Sequence, residues 1–337
     1  MNSNIKLAAR LPIRIGLVGT GYAAKLRAEA IKGDERARLV AVAGHIPEKT
    51  EEFAQTYETE AAVSWRELIE REDIDLVIIS TVSRDHGAIA LAAILAGKDV
   101  VVEYPLALDV AEATEIIALS EKAGKFLHVE HLELLGGVHQ ALVKSLPDTG
   151  QVFYVRYATL SPEQPAPRRW SYQRDLFGFP LIGALSRVQR LTDVFGQVES
   201  VSCQAQYWDA PPPEKELGYF TACLCTAQMR FKSGMIAEVV YGKGEVFWQS
   251  ERKLEVHGDR GTLIFDKDKG KLVRGSEITC LQVGSRRGLF AKDTAMVLDH
   301  LIEGTPLYIT PKASLYALKV ADAARRSAET AQTVALD

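Results

Sequence analysis

Residues 13–18 form an apolar run rich in β-branched side chains, and it stops at Gly19-Thr20-Gly21, where helical spacing begins at once over residues 23–32. This junction constrains the fold more than any other part of the chain. The first glycine allows a tight turn, and the second lets the backbone approach a pyrophosphate. The small Ala24 permits close packing of helix on strand, and the free N–H groups at the helix start stabilise phosphate. The G-x-G-x-x-A string is weak alone but strong in a βαβ unit near the N-terminus. Gly19, Thr20, Gly21, Tyr22, Ala23 and Ala24 are therefore the first candidate cofactor-binding residues.

The same rhythm continues for about 130 residues. Strands are expected at 39–43, 75–80, 99–102 and 126–129, with helices at 48–57, 85–96 and 111–123. Apolar runs without alternation, separated by helices, argue for a doubly wound parallel sheet covered on both faces, a Rossmann-type α/β domain. After about residue 145 the pattern becomes mixed or alternating, at 152–160, 200–208, 220–231, 234–241 and 254–257, with hairpin signals at Lys232-Ser233-Gly234 and Gly258-Asp259-Arg260-Gly261. The second part is thus expected to be α+β with a large, mostly antiparallel sheet. Helices are expected at 181–195, 291–303 and 312–330. The organisation predicted is a loose tail at 1–12, a dinucleotide-binding domain at 13–130 and a substrate domain at 131–337, with the last helix packing back on the first domain. A length of 337 residues fits two such domains.

The bulk numbers exclude several classes. A net charge of -4 gives no electrostatic reason to expect nucleic acid. No run approaches the roughly 20 apolar residues needed to span a membrane. Cys203, Cys223, Cys225 and Cys280 form no C-x-x-C pair, which suits neither a zinc site nor a disulfide framework and points to the reducing cytosol. His128, Glu130 and His131 do not share one strand face and no third ligand is evident, so no metal is expected. Oligomeric state is left open.

The second strand ends in Ala43-Gly44-His45, without the carboxylate that binds a ribose 2′-hydroxyl in NAD sites. The missing acid removes repulsion against a 2′-phosphate, and His45 adds attraction, as Lys49 does if it is not a plain surface residue. NADPH is preferred over NADH. Gly44, His45, Thr81, His86 and Glu103 join the cofactor candidates, although His86 also suits a place at its helix end.

The early G-x-G-x-x-A, then DHGAIALAAILAGKDVVVEYPLA, then a β-rich second half resemble the glucose–fructose oxidoreductase and inositol dehydrogenase family. That family places Glu-Lys-Pro after the fifth strand and Asp-x-Gly-x-His-x-x-Asp on a helix of the second domain, the lysine and histidine moving the substrate proton. Here Tyr104 replaces the lysine, Ser186 the first aspartate and Arg190 the histidine; Asp193 remains. Arginine cannot act as a base, its pKa exceeding about 12. The departures follow a pattern. Glu-Tyr-Pro, HVEHLELLGGVHQAL, PAPRRWSYQRDLFGFPL, ALSRVQRLTDVFG, EVVYGKGEVF and VGSRRGLF resemble the cyanobacterial type of biliverdin reductases within the family.

The resemblance implies an NADPH-dependent reductase of a linear tetrapyrrole, biliverdin, forming bilirubin. A hydride goes to the central methine carbon and a proton to a pyrrole nitrogen. No alcohol proton is removed, so loss of the basic pair is consistent with that chemistry. Arg187, Tyr104 and Glu103 are the candidate catalytic residues, with Arg187 stabilising developing charge or orienting a water. Arg190, Trp170, Tyr172, Phe179 and Arg286 are candidate substrate-binding residues, as cations for the propionates or walls for the pigment. For Arg190 an ion pair with Asp193 is the equal alternative. Two other readings stay open: a reductase of another carbonyl or conjugated substrate, and a non-catalytic NADP(H)-binding regulatory protein.

Overall fold

The computed structural model describes residues 11–336; most of the tail expected at residues 1–12 lies outside the described residues. The chain divides into two compact units. Unit 1 runs to Leu132 and takes in Arg287–Leu315, and unit 2 comprises Glu133–Arg286 and the chain from Tyr316.

Unit 1 is built on a parallel six-stranded sheet. Its strands are β1 (Ile13–Val18), β2 (Ala37–Ala43), β3 (Glu60–Ala61), β4 (Leu76–Ile79), β5 (Asp99–Glu103) and β6 (Leu127–Glu130). The order is β3-β2-β1-β4-β5-β6, so the chain reverses direction across the sheet between β1 and β4. Ligands of such sheets bind outside the carboxyl ends of the strands at that reversal. The four residues of β4 are all buried, which is why the strand shows no alternation.

Helix α1 (Tyr22–Lys32) follows β1, and α2 (Pro47–Tyr57) follows β2. A short helix α3 (Trp65–Glu70), not expected from periodicity, is capped by Ser64, whose Oγ accepts the Glu67 N–H at 3.2 Å. The Ser-x-x-Glu spacing is its local signal. Helices α4 (His86–Leu95) and α5 (Val110–Ala123) cover the sheet further along.

Unit 2 opens with α6 (Gly137–Ser145) and carries a nine-stranded sheet. Its strands are β7 (Val152–Pro162), β8 (Val198–Asp209), β9 (Phe220–Phe231), β10 (Ile236–Gly244), β11 (Glu251–Gly258), β12 (Gly261–Asp266), β13 (Lys269–Arg274), β14 (Glu277–Leu281) and β15 (Val334–Ala335). All neighbours are antiparallel except β7 and β10, which run parallel at its centre. The alternation along β9 puts Cys223, Cys225, Ala227, Met229 and Phe231 on the buried face. Strands β12 to β14 go beyond the expected set: lysines and a glycine break up β13, and most of β14 is exposed, so neither shows a clear alternation.

The helix expected at 181–195 is two helices. After a single turn α7 (Arg174–Phe177), α8 (Pro180–Gly183) and α9 (Ser186–Phe195) are separated at Ala184, with φ -110° and ψ 38°. Gly183 lies against the Phe177 ring, where a Cβ would come within 2.6 Å, so the chain turns around that aromatic.

The helix that completes the core of unit 1 is α10 (Leu289–Glu303), not the final α11 (Pro311–Thr330), which runs on from unit 1 into unit 2. Val297, Leu298 and Leu301 of α10 pack with Ile13, Ile15, Ala24 and Ala28. Its Asp293 is fully buried and accepts from Arg27 Nη1 at 2.5 Å, His128 Nε2 at 2.9 Å and the Tyr308 hydroxyl at 2.7 Å. Burial alone would raise the Asp293 pKa, but the Arg27 and His128 charges and these hydrogen bonds hold it below the ordinary carboxylate value.

A depressed folded-state pKa gives stability that is full above the unfolded value and is lost as pH falls through the folded one. Asp293→Asn is expected to lower unfolding free energy by about 3–5 kcal/mol at neutral pH, as for a broken buried ion pair. The gap from wild type should narrow below about pH 4. Urea unfolding followed by circular dichroism at several pH values measures both.

Candidate active site

The glycine junction has the geometry that the sequence requires. Gly19 has φ +128°, and a Cβ there would lie 2.1 Å from the Ser80 carbonyl oxygen, so only glycine lets the ends of β1 and β4 approach. Gly21 is the N-cap of α1 and makes no side-chain cap hydrogen bond; a methyl group added there would have no protein atom within 4 Å. The first turn of α1 contains no acid. Open space above unengaged helix N–H groups fits a pyrophosphate. Ala24 is buried against the sheet and Ala23 half-buried, whereas Tyr22 is exposed. Thr20 packs on Gly44, where a Cβ would meet its Cγ2 at 2.9 Å.

A cavity of about 200 Å³ lies beside this junction, lined among others by Gly44, His45, Ser64, Trp65 and Thr81. It contains hydroxyl groups and an aromatic ring suited to a ribose and a base. Trp65 and Ser64 belong to α3 and its cap and are not among the sequence candidates. His45 Nε2 lies 3.2 Å from Thr81 Oγ1 and 3.3 Å from Asp85 Oδ2. A carboxylate therefore does stand near His45; it comes from the segment after β4, where the sequence of β2 gives no sign of it. Lys49 is exposed.

His86 does not offer its ring to a ligand. It is buried, with Nδ1 2.8 Å from the Pro105 carbonyl and Nε2 3.2 Å from the Thr81 carbonyl. Burial lowers its pKa, so the neutral ring donates to one carbonyl at a time. It ties the loop after β4 to the loop after β5, and through that second loop it supports Tyr104.

Glu103 ends β5. Its Oε1 accepts from Arg27 Nε at 3.1 Å and Ser80 Oγ at 3.3 Å. Tyr104 is half-buried and stacks on His131, with ring centroids 5.0 Å apart and planes 9° apart. The His131 ring is fixed by Ser314 Oγ at 2.9 Å, and burial pushes its pKa down to about 3. His128, Glu130 and His131, whose spacing raises the question of a metal, are each engaged within unit 1: His128 with Asp293, Glu130 with the Leu132 N–H at 2.8 Å, His131 with Ser314.

In unit 2, α9 lies on the sheet through its arginines. Arg187 sits over the Tyr241 ring of β10 at 5.3 Å, and Arg190 over the Tyr157 ring of β7 at 5.4 Å. Arg190 Nη1 donates to the Tyr157 hydroxyl at 2.6 Å, and Nη2 to Glu133 Oε2 at 3.0 Å. The ion pair with Asp193 expected as an alternative is not formed; Asp193 faces His139 at 3.0 Å instead. Arg252 and Arg286 also reach Glu133, at 3.4 and 3.3 Å. Burial would raise the Glu133 pKa, but the charges of Arg190, Arg187 and Arg286 outweigh it and lower the value. Three guanidinium groups thus meet at one carboxylate, and the charge of Arg187 acts on it as well. Glu133 and Arg252 are functional candidates that the sequence does not reveal, since nothing local marks a strand arginine as a partner of a residue 119 positions away.

The aromatic run is only partly a surface. Tyr172 is 1% exposed and packs on Phe220, so it cannot form a wall for a ligand. Trp170 is 37% exposed and packs on Phe177, and Phe179 is half-buried ahead of α8. Beneath them the buried Lys243 donates to the Ser171 carbonyl and places its ammonium 3.7 Å from the Phe177 centroid and 4.6 Å from that of Tyr172. Burial, with help from the Arg169 and Arg187 charges, lowers its pKa to about 8.

A dinucleotide cradle on a 3-2-1-4-5-6 sheet, coupled in sequence to an open mixed-sheet unit, defines a two-domain nicotinamide-dependent oxidoreductase. Residues 13–131 match the oxidoreductase family model described as an NAD-binding Rossmann fold, and residues 148–336 match that family's C-terminal alpha/beta domain. The chain belongs to the Gfo/Idh/MocA oxidoreductase family. It is similar to a biliverdin reductase from Synechocystis sp. PCC 6803 solved with biliverdin and NADP+: 52% identity, covering 94% of this chain and 99% of that one, with a TM-score of 0.92. Human biliverdin reductase A is 30% identical over 71% of this chain and 70% of its own length. The mouse protein is 26% identical over 55% of this chain, and the match spans 59% of that protein, under two thirds of its length.

Gly21→Ala separates binding from folding. Its methyl group meets no protein atom, so stability should change by less than about 1 kcal/mol, while dinucleotide affinity falls at least about tenfold. Gly19→Ala should lose stability as well, because its conformation and close contact both oppose a side chain. Fluorescence titration with NADPH and thermal melts distinguish the two.

Proposed function

We propose that this protein is an NADPH-dependent biliverdin reductase. The observation that carries the proposal is the guanidinium cluster of unit 2, formed by Arg187, Arg190, Arg252 and Arg286 around Glu133. Such an excess of cations suits a substrate with two carboxylates, and planar guanidinium groups bind carboxylates in a bidentate manner. The likeness to the Synechocystis enzyme, solved with biliverdin and NADP+, supports both the substrate and the preference for NADPH. The positions that carry lysine and histidine in proton-abstracting relatives hold Tyr104 and Arg190, which fits a reaction in which no alcohol is deprotonated.

NADPH supplies a hydride to the central methine carbon of the pigment. The glycine turn and α1 hold its pyrophosphate, and His45 and Thr81 border its ribose. Tyr104, held flat by His131, offers an aromatic face and a hydroxyl to the reacting groups. Arg187 is half-buried, with Nη1 donating to Ser186 Oγ at 3.0 Å. Its fixed charge stabilises the pyrrole system as the hydride arrives and orients the water whose proton goes to a pyrrole nitrogen. Arg190, which is 2% exposed and committed to Tyr157 and Glu133, chiefly fixes the cluster. Arg252 and Arg286, more open to solvent, receive the propionates.

Protein mixed with NADPH and biliverdin should lose the long-wavelength biliverdin band as the blue-absorbing bilirubin band grows. Nucleotide binding without turnover of any bilin would overturn the assignment. Arg187→Ala should lower kcat about 100-fold, as for loss of one electrostatic donor, with NADPH affinity changed less than about twofold. Steady-state kinetics with parallel binding titrations test this.

A further inference from the structure

Glu103 and Glu130 are the last residues of the adjacent strands β5 and β6 and face each other in register. Register between adjacent parallel strands puts the two carboxyl side chains next to each other on one face of the sheet, where two full negative charges repel. Glu130 is 2% exposed, and the Leu132 N–H donates to its Oε2. Glu103 receives Arg27 Nε, and Arg27 spends its Nη1 on Asp293. One guanidinium thus pairs with two carboxylates, Glu103 and Asp293, and reaches Glu130 only through its charge.

We propose that Glu103 and Glu130 act as one carboxyl pair holding a single proton, and that the charge of this pair sets the preference of the protein for oxidised over reduced cofactor. The inference rests on the cofactor part of the function proposed above and on none of its substrate part. A nicotinamide ring is positively charged when oxidised and neutral when reduced. Dinucleotides bind outside the carboxyl ends of the strands, where both glutamates lie. A second negative charge on the pair therefore stabilises NADP+ selectively, whereas a retained proton leaves the reduced form favoured.

The surroundings support the sharing. Burial, then the negative charge of Glu103, raises the Glu130 pKa well above the ordinary carboxylate value, against the opposing charge of Arg27. The other groups acting on the pair are Asp293 of α10, His86 of α4 and Tyr308, with His128 of β6 behind them on Asp293. His86 has its pKa lowered by burial, and Tyr308 has its pKa raised by burial and by the Asp293 and Glu130 charges. Glu130 is thus the group whose charge changes on the alkaline side of its ordinary range. The residue acts through Glu103 and is a positioning residue.

The test is the ratio of the dissociation constants of NADP+ and NADPH, measured by calorimetry on the whole protein from about pH 6 to about pH 9.5. Both ligands carry the same 2′-phosphate, so its titration cancels in the ratio. In wild type the ratio should shift about fivefold toward NADP+ as pH rises, the scale of one added charge at partly screened distance. Glu130→Gln keeps a donor to Glu103 and an acceptor for Leu132, so its ratio should stay flat at the low-pH value. A flat wild-type ratio, or a Gln variant that follows the wild-type curve, would overturn the proposal. Infrared spectroscopy of the wild type gives a check independent of the variant: a protonated-carboxyl band should persist at neutral pH and vanish at high pH, and its absence at neutral pH would equally overturn it. Neither measurement involves bilin turnover, so its failure and that of the proposed reductase activity are told apart.

Discussion

The buried guanidinium of Arg27 organises unit 1. Burial disfavours its charge, yet the charges of Asp293, Glu103 and Glu130 outweigh that and keep it protonated. It joins α1, which follows the glycine turn, to β5, which carries Glu103, and to α10, which arrives 266 residues later. Removing any partner leaves an uncompensated buried charge, so the network admits one arrangement of these elements. It also fixes which oxygen of Glu103 is occupied. The same ion network that completes the Rossmann core therefore sets the electrostatics at the end of its sheet.

Unit 2 solves the opposite problem. Its cations are in excess, and Glu133 is what holds them together. Arg190 is nearly enclosed and satisfied by Tyr157 and Glu133, while Arg187, Arg252 and Arg286 retain exposure. Stacking on Tyr157 and Tyr241 keeps the arginines of α9 on the sheet without neutralising them. Under the proposed function, a surface built this way is prepared for the substrate carboxylates before they arrive, which lowers the ordering cost of binding.

Much of the chemistry is legible locally. The glycine junction, the parallel strand rhythm and both hairpin turns are properties of short segments that spacing reveals, whereas the replacements at Tyr104, Ser186 and Arg190 stand out only through the family resemblance. Other features differ from expectation for physical reasons. Tyr172 resembles a pigment wall in sequence because its neighbours are prolines and aromatics, but it fills the space between Phe220 and the Lys243 ammonium. The helix at 181–195 breaks because Gly183 must pass the Phe177 ring. Arg190 pairs with Glu133 and not with its helix neighbour Asp193, since the better partner comes from another element altogether.

By itself the sequence determined the class of fold and the cradle for a dinucleotide; the replaced proton-moving pair is what its family resemblance implies. Each depends on backbone conformation or residue type within a few positions, and such constraints act before any long-range contact exists. Only the tertiary structure decided which carboxylates face which cations. Residues 27, 103, 130 and 293, and likewise 133, 190, 252 and 286, come together through sheet register and helix packing. Desolvation then turns their meeting into charge states that no single segment encodes.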